Sequence, residues 1–331
     1  MTAKCIVFSK PETVEIGELE MGSPGPDQIL TKTLMTGVST GTETRVYRGK
    51  QERSEFPLIP GYENLGEVIE AGEKSGFSVG QRAFVRKHQY DSGPYQMMWG
   101  SQVSHSLSSS DAAIPIPDGV ATEDAIYAKV SAISLHGVKR ARVAKGEWVA
   151  VVGLGIIGHF VVQHCVARGA KVIAIDLEPS RREKADEAGA EASLDGKAPD
   201  LVERVHQLSG GGVNIAFDAT GIAKMLEPTS RLLRHRLWDE DPSNAPRLVL
   251  QGTVEDPVTI DYMALFRPEL DLITPRDCDT QDMVDSLDLM AAGKIKPSII
   301  PATIASIEQA PELYPKLVSR EIMRVLFRWS E

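Results

Sequence analysis

The sequence predicts an α/β protein: a doubly wound parallel sheet joined to a second, mostly β domain. Three observations carry this. The run EWVAVVGLGIIGHFVVQHCVARG reads as a buried apolar strand, a glycine turn and a helix. From about Thr122 onward, strand-like and helix-like runs alternate, and such alternation argues for a parallel sheet covered on both faces. Residues 1–122 instead carry short β-like runs broken by Gly and Pro. A chain of 331 residues suits about two domains at ~100–200 residues each.

Taken in order, the first domain (1–122) contains QILTKTLMTGV, NLGEVIEAG, QRAFVRKHQY and AAIPIPDGV. ATEDAIYAKVSAISLHGVKRA then opens with Thr122 and two acids in its first turn and has apolar residues at helical spacing, so a helix is expected. EWVAVVGLGIIGHFVVQHCVARGAKVIAIDLEPSRREKADEAGA reads as strand, turn, helix, strand, helix. The alternation continues through VNIAFDATG, a helix around Met225–Arg236, and RLVLQGTV, which sets the second domain at 123–266. DEDPSNAP, residues 239–246, reads as a surface loop. Past Phe266 a helix at Gln281–Ala292 and short strands end in IMRVLFRW. That run is apolar enough to return to the first domain, so 267–331 forms a return segment.

The balance of 36 basic against 46 acidic residues gives a net charge of −10. That argues against nucleic acid or an anionic membrane surface as partner, because a phosphate backbone needs a basic face. No run approaches the ~18 apolar residues that span a bilayer, and MTAKCIVFSK lacks the apolar core of a secretion signal. Three scattered cysteines, Cys5, Cys165 and Cys278, make neither a disulfide framework nor a CxxC metal pair. The expected compartment is the cytoplasm.

Gly153-Leu154-Gly155-Ile156-Ile157-Gly158 is a GxGxxG turn in the context that gives the pattern meaning, after a strand and opening a helix. The first glycine permits the tight turn, the second lets backbone approach a pyrophosphate, and the third allows close helix–strand packing. The helix N-terminus adds N–H donors and a partial positive charge. Asp176 ends the next strand, 23 residues after Gly153, where a carboxylate accepts from an adenosine ribose and repels a 2′-phosphate. NAD is therefore favoured over NADP. Arg181 and Arg182 nearby keep NADP open, since an arginine can serve a 2′-phosphate. The domain reads as a Rossmann unit.

The chain carries GVSTGTE at 37–43, GYENLGEVIEAG at 61–72, VGQRAFV at 79–85, IPDGV at 116–120 and GLGIIG at 153–158. On these motifs nearly the whole chain resembles the medium-chain dehydrogenase/reductase superfamily. STGTETRVYRG and FPLIPGYENLGEVIEAG are especially similar to the bacteriochlorophyllide a dehydrogenase branch. The resemblance implies a GroES-like catalytic domain beside the Rossmann domain, and dehydrogenase activity. It places Thr220 of FDATG and Gly252 of LVLQG at the nicotinamide pocket, and Arg324 of IMRVLF at the cofactor pyrophosphate. It also implies nucleotide domains that pair edge to edge in a homodimer or tetramer, with the edge at Pro246–Thr253 and the following VEDPVTIDY.

Zinc alcohol dehydrogenases of that family hold a catalytic metal through a cysteine, a histidine, often a glutamate, and a later Cys or Glu. Here the cysteine falls on Ser39 or Thr40, the histidine on Tyr62, the glutamate on Glu63 and the later ligand on Lys129. The lobe that binds structural zinc has no cysteine between Arg86 and Gly100. One carboxylate beside an ammonium is a poor zinc site, so no metal is expected. Hydride chemistry still needs a group that moves the hydroxyl proton or steadies an alkoxide. The expected set is Lys129 and Tyr62 as an acid–base pair, with Lys129 stabilising an alkoxide directly, lowering the phenol's pKa or acting as a base, and Thr42 as relay or substrate contact. Glu63 is expected to neutralise Lys129 or hold its geometry, and Glu43 to accept from Tyr62. Thr40, His88, Tyr90 and Tyr95 are expected substrate contacts, whereas His105, His136, His159 and His164 read as structural.

The expected function is zinc-independent, NAD-dependent oxidation of a secondary alcohol or reduction of the ketone, a sugar- or cyclitol-like polyol being favoured. Three alternatives stay open: a bacteriochlorophyllide-type hydroxyethyl dehydrogenase, an NADPH-dependent enone or quinone reductase, and a non-catalytic NAD-binding relative.

Overall fold

The computed structural model describes residues 1–329. The chain divides into two units, residues 1–128 together with the segment from Pro301 onward, and residues 129–300.

The first unit is built on antiparallel strands. Gln28–Gly37 is its axis: it pairs with Glu63–Ala71 on one side, and with Val325–Arg328 and His105–Ser109 along its other edge. Arg82–Val85 and Ala113–Pro115 extend this seven-stranded sheet beyond Glu63–Ala71, and Thr303–Ser306 extends it beyond Val325–Arg328. A four-stranded sheet of Thr13–Glu20, Thr2–Lys10, Leu58–Ile59 and Gln96–Met97 packs beside it. The apolar C-terminal run returns to this unit as expected. Phe327, Tyr314, Phe8 and Tyr47 are buried in one core cluster with Val38 and Val46, so the strand that carries candidate residues is anchored by aromatic packing.

The second unit holds a six-stranded, all-parallel sheet. Its order is Ala192–Asp195, Lys171–Asp176, Trp148–Val152, Ile215–Asp218, Arg247–Leu250, Asp271–Ile273. The chain starts in the middle, runs to one edge, then returns and fills the other side. The switch point lies between Trp148–Val152 and Ile215–Asp218, where open α/β sheets bind ligands at the strands' carboxyl ends. Core clusters on the two faces of the sheet explain why these strands read as continuous apolar runs.

Four expectations are corrected. Segment 267–300 is not part of the return: Asp271–Ile273 completes the parallel sheet, and the helix Thr280–Ala291 stands against Ala128–Arg140 through Asp282, which bonds His136 at 2.8 Å and Lys139 at 2.7 Å. The single helix expected from Thr122 is broken into Thr122–Ala125 and Ala128–Arg140. The helix expected around Met225–Arg236 is only Leu226–Ser230, because the chain after it pairs with Val213: Val213 donates to Leu232 and Arg234 donates to Val213. The sheet edge on this side is Asp271–Ile273, and the opposite edge is Ala192–Asp195. The run expected there contains Arg247–Leu250, which lies inside the sheet. Among the described residues no helix is long and apolar enough to cross a membrane.

Candidate active site

In the second unit the strand Trp148–Val152 delivers the chain to Gly153, whose φ of +88° is open to glycine at little cost. A Cβ at Gly158 would collide with the carbonyl oxygen of Gly153, so helix Ile156–Ala167 can approach the strand only with glycine there. A Cβ at Gly155 would meet nothing within 4 Å, which leaves that face of the turn open to a ligand. Leu154 and Ile156 are buried, and Ile157 packs against the same core, so these three hold the turn rather than contact a ligand by side chain.

Asp176 lies at the end of the neighbouring strand and is 8% exposed. One carboxylate oxygen accepts from the Leu154 N–H at 2.6 Å, the other from the Glu178 N–H at 2.9 Å. Arg181 stands 3.7 Å from it, while Arg182 spends its guanidinium on the Asp176 and Leu177 carbonyls. At the end of Ile215–Asp218, the Asp218 carboxylate accepts the Thr220 N–H at 2.9 Å and hydroxyl at 2.6 Å, and the Asp218 carbonyl accepts from Gly252 at 2.9 Å. A Cβ at Gly153 would lie 3.0 Å from the Thr220 methyl. The fold thus brings the glycine turn, Asp176, Thr220 and Gly252 to one end of the sheet. These residues fit a dinucleotide: open backbone at Gly155, a helix N-terminus and a carboxylate fixed beyond it.

In the first unit, Tyr62 and Ser39 are bonded directly. The Tyr62 hydroxyl donates to the Ser39 Oγ at 2.6 Å, and the Thr42 N–H approaches the same oxygen at 3.4 Å. Tyr62 stands edge-on to Trp99, with ring centroids 5.7 Å apart. Burial, reinforced by the nearby Glu63 carboxylate, pushes the phenol above its ordinary range. The expectation of a lowered phenol pKa is therefore corrected: Tyr62 is held as a neutral donor. Thr40 supplies a carbonyl that accepts from the Thr44 hydroxyl at 2.6 Å.

Glu63 and Arg324 form a fully buried ion pair through both carboxylate oxygens. Arg324 also donates to the Val38 carbonyl at 2.6 Å, and its guanidinium lies 5.0 Å over the Tyr127 ring. A Cβ at Gly37 would collide with both partners, so glycine there makes room for the pair. Three expectations change. Glu63 neutralises Arg324, not Lys129. Arg324, expected at a cofactor phosphate, is 1% exposed and serves Glu63 instead. Glu43 is also buried, and it accepts from Tyr314, from Gln102 at 3.2 Å and from the Ser39 N–H at 3.3 Å, not from Tyr62. Its carboxyl is pushed up to about 7, mainly by burial.

Lys129, at the start of helix Ala128–Arg140, donates to the Asp277 carboxylate at 2.7 Å and contacts the Cys278 sulfur at 3.4 Å. Burial works against its charge, but Cys278 and Asp277 outweigh it, and the ammonium is held above the ordinary lysine value. Of the roles expected for Lys129, that of a base is corrected, and the raised value favours the cation.

Of the expected substrate contacts in the 86–100 segment, His88 and Tyr90 are buried packing residues and Tyr95 is half-buried. His88 is 8% exposed, bonded to the Ser106 hydroxyl at 2.6 Å, and pushed down to about 3 by burial. Tyr90 is buried and donates to the Gly100 carbonyl at 2.6 Å, and Tyr95 packs on the same cluster, its ring against Gly17.

Family models match two stretches of the chain: the alcohol dehydrogenase GroES-like domain over residues 25–136, and the zinc-binding dehydrogenase over residues 157–291. An alcohol dehydrogenase of Rhizobium meliloti is 32% identical over 258 residues, covering 71% of this chain and 75% of the relative. The chain belongs to the medium-chain dehydrogenase/reductase family. Along its whole length it is also similar to the 2-desacetyl-2-hydroxyethyl bacteriochlorophyllide A dehydrogenase of Cereibacter sphaeroides, 24% identical with 99% of each chain covered. The crystal structure of 2R,3R-butanediol dehydrogenase from Bacillus subtilis matches the fold at a TM-score of 0.84, with 23% identity and 98% and 99% coverage. As a member of this family the protein is an oxidoreductase of alcohols that uses a nicotinamide dinucleotide.

Zinc does not fit the residues that stand where this family holds its catalytic metal. Ser39 and Tyr62 are hydroxyls in direct hydrogen bond, closer than two ligands of one tetrahedral zinc would stand. Glu63 has both oxygens on a guanidinium. Among the described residues no three His, Cys, Asp or Glu side chains come together as a metal group. Sequence reasoning missed Asp277, Gln102 and Tyr314. The first lies 148 residues from Lys129 and the last 271 from Glu43, with no local pattern to announce either contact.

Proposed function

We propose that the protein is a zinc-independent, NAD-dependent dehydrogenase of secondary alcohols, a vicinal diol or polyol being the favoured substrate. The observation that carries this is the Tyr62–Ser39 hydrogen bond at the position of two metal ligands, with Glu63 already paired to Arg324. The nicotinamide ring, when bound, takes the hydride. The chain's own residues do the rest. In the second unit the glycine turn, Asp176, Thr220 and Gly252 hold the dinucleotide, and Asp176 disfavours a 2′-phosphate. Lys129 supplies a lasting positive charge that suits a developing alkoxide better than it suits proton abstraction. In the first unit Tyr62 and Ser39 offer a pair of linked hydroxyls, able to donate to a carbonyl oxygen or pass on an alcohol's proton. Thr40 and Thr42 flank them as substrate contacts. The name of the butanediol dehydrogenase supports a diol, and the resemblance to the bacteriochlorophyllide enzyme keeps a hydroxyethyl-bearing substrate as second reading.

We expect a homodimer built on the edge strand Asp271–Ile273. Exposed Leu272, Tyr262, Phe266 and Trp238, the last 94% exposed, belong to this part of the second unit. Light scattering checks it, and a monomer at micromolar concentration would contradict it. Function is tested by NAD and NADP reduction over 2,3-butanediol, cyclitols, sugar acids and simple secondary alcohols, with Lys129→Met beside the parent chain. The reading expects NAD-linked turnover that Lys129→Met abolishes while NAD binding persists. Parent-like turnover in that variant would refute the role of Lys129.

A further inference from the structure

Lys129 has three N–H donors on a flexible stem, and a lysine that steadies one developing charge must be held in one place. The segment between Asp271–Ile273 and Thr280–Ala291 does this holding. Asp277 accepts from the Lys129 ammonium at 2.7 Å, and the same carboxylate oxygen accepts the Cys278 N–H at 2.8 Å, which fixes its direction. The Cys278 sulfur lies 3.4 Å from the ammonium on the same segment. We propose that Asp277 is a positioning residue: with Cys278 it clamps Lys129 by two of its three donors and leaves one for a substrate oxygen.

The charges around Lys129 support this. Cys278 is a neutral thiol at physiological pH, since burial pushes it up to about 11. Asp282, which faces Cys278, is committed to His136 and Lys139. At physiological pH Asp277 is therefore the full negative charge bonded to the ammonium, and the Cys278 sulfur adds its own only as it ionises toward pH 11. The Lys129 side chain is 18% exposed, so it is not sealed from solvent. The clamp rests on the reading of Lys129 as the cation of the reaction, but it can be tested apart from turnover.

The test is acetylation of Lys129 by acetic anhydride, read by the mass of its peptide between pH 7 and 11, with exposed Lys50 as internal reference. In the parent chain Lys129 should react only at higher pH than Lys50. In Asp277→Asn its reaction should move down by about one pH unit, a roughly tenfold faster acetylation at pH 9. Turnover of the fastest alcohol from the panel above should fall roughly tenfold, and the alkaline limb of its pH profile should shift the same way. Asp277→Glu should restore part of both. A Lys129 that reacts like Lys50 in the parent chain overturns the clamp without any variant. So does an Asp277→Asn protein with unchanged acetylation and pH profile while Lys129→Met is inactive. If Lys129→Met keeps full turnover, the catalytic reading falls, and the acetylation shift still decides whether Asp277 clamps the lysine.

Discussion

Replacing Glu43 by Gln should remove a pH dependence of stability that the parent chain carries. Glu43 is fully buried, and burial pushes its carboxyl from 4.5 up to about 7, with the Glu63 charge adding to the rise and the bonds from Tyr314, Ser39 and Gln102 opposing it. A raised folded-state pKa means the fold binds this proton more tightly than the unfolded chain does. Its contribution is then fully present below pH 4.5, is lost as the pH climbs to 7, and is constant above. A shift of ~2.5 units at 1.36 kcal/mol each is about 3 kcal/mol. Gln stays neutral and can still accept from Tyr314, so the difference between the two proteins isolates this one group from every other carboxylate. Urea unfolding, followed by tryptophan fluorescence at pH 5, 6, 7 and 8, gives that difference directly. Because pH 5 already lies above 4.5, the variant should gain on the parent by about 2.5 kcal/mol between pH 5 and 8. Parallel stabilities across the range would mean that Glu43 ionises normally and that its buried bonds are not as described.

Gly37→Ala places a methyl group against the Arg324–Glu63 pair and should cost at least ~1–3 kcal/mol as overpacking, read as a lower unfolding midpoint; an unchanged midpoint would mean the pair is loose. Asp176→Ala should weaken NAD binding by roughly tenfold or more and narrow the preference over NADP, measured by calorimetric titration of both cofactors; equal affinities in parent and variant would remove Asp176 from the site. Tyr62→Phe deletes only the hydroxyl bonded to Ser39 and should lower turnover by ~10²–10⁴ with NAD affinity intact, as expected for loss of a positioned proton donor; a parent-like rate would make Tyr62 packing beneath its loop.

What the sequence makes legible follows from how local each signal is. The glycine turn, its strand and its helix are contiguous, and Gly153, Gly155 and Gly158 each have a reason fixed within a few residues, so that part of the site is readable in one dimension. Alternating apolar runs likewise announce the parallel sheet. The helix expected at Met225–Arg236 stops early because Val213 takes up the chain after Ser230, a tertiary demand that propensity does not record. His88 and Tyr90 look like cleft residues by type, but only burial shows them bonded to Ser106 and Gly100. The counter-ions are the least legible. Glu63 and Lys129 were expected to pair with each other, yet their partners are Arg324 and Asp277, 261 and 148 residues away.

We propose that alcohol chemistry proceeds here without zinc. The most direct measurement is the metal content of the purified chain by mass spectrometry, paired with NAD-linked turnover before and after exhaustive chelation. The account predicts far less than one zinc per chain and a rate that chelation leaves unchanged. One zinc per chain, with turnover that chelation stops and zinc restores, would contradict it.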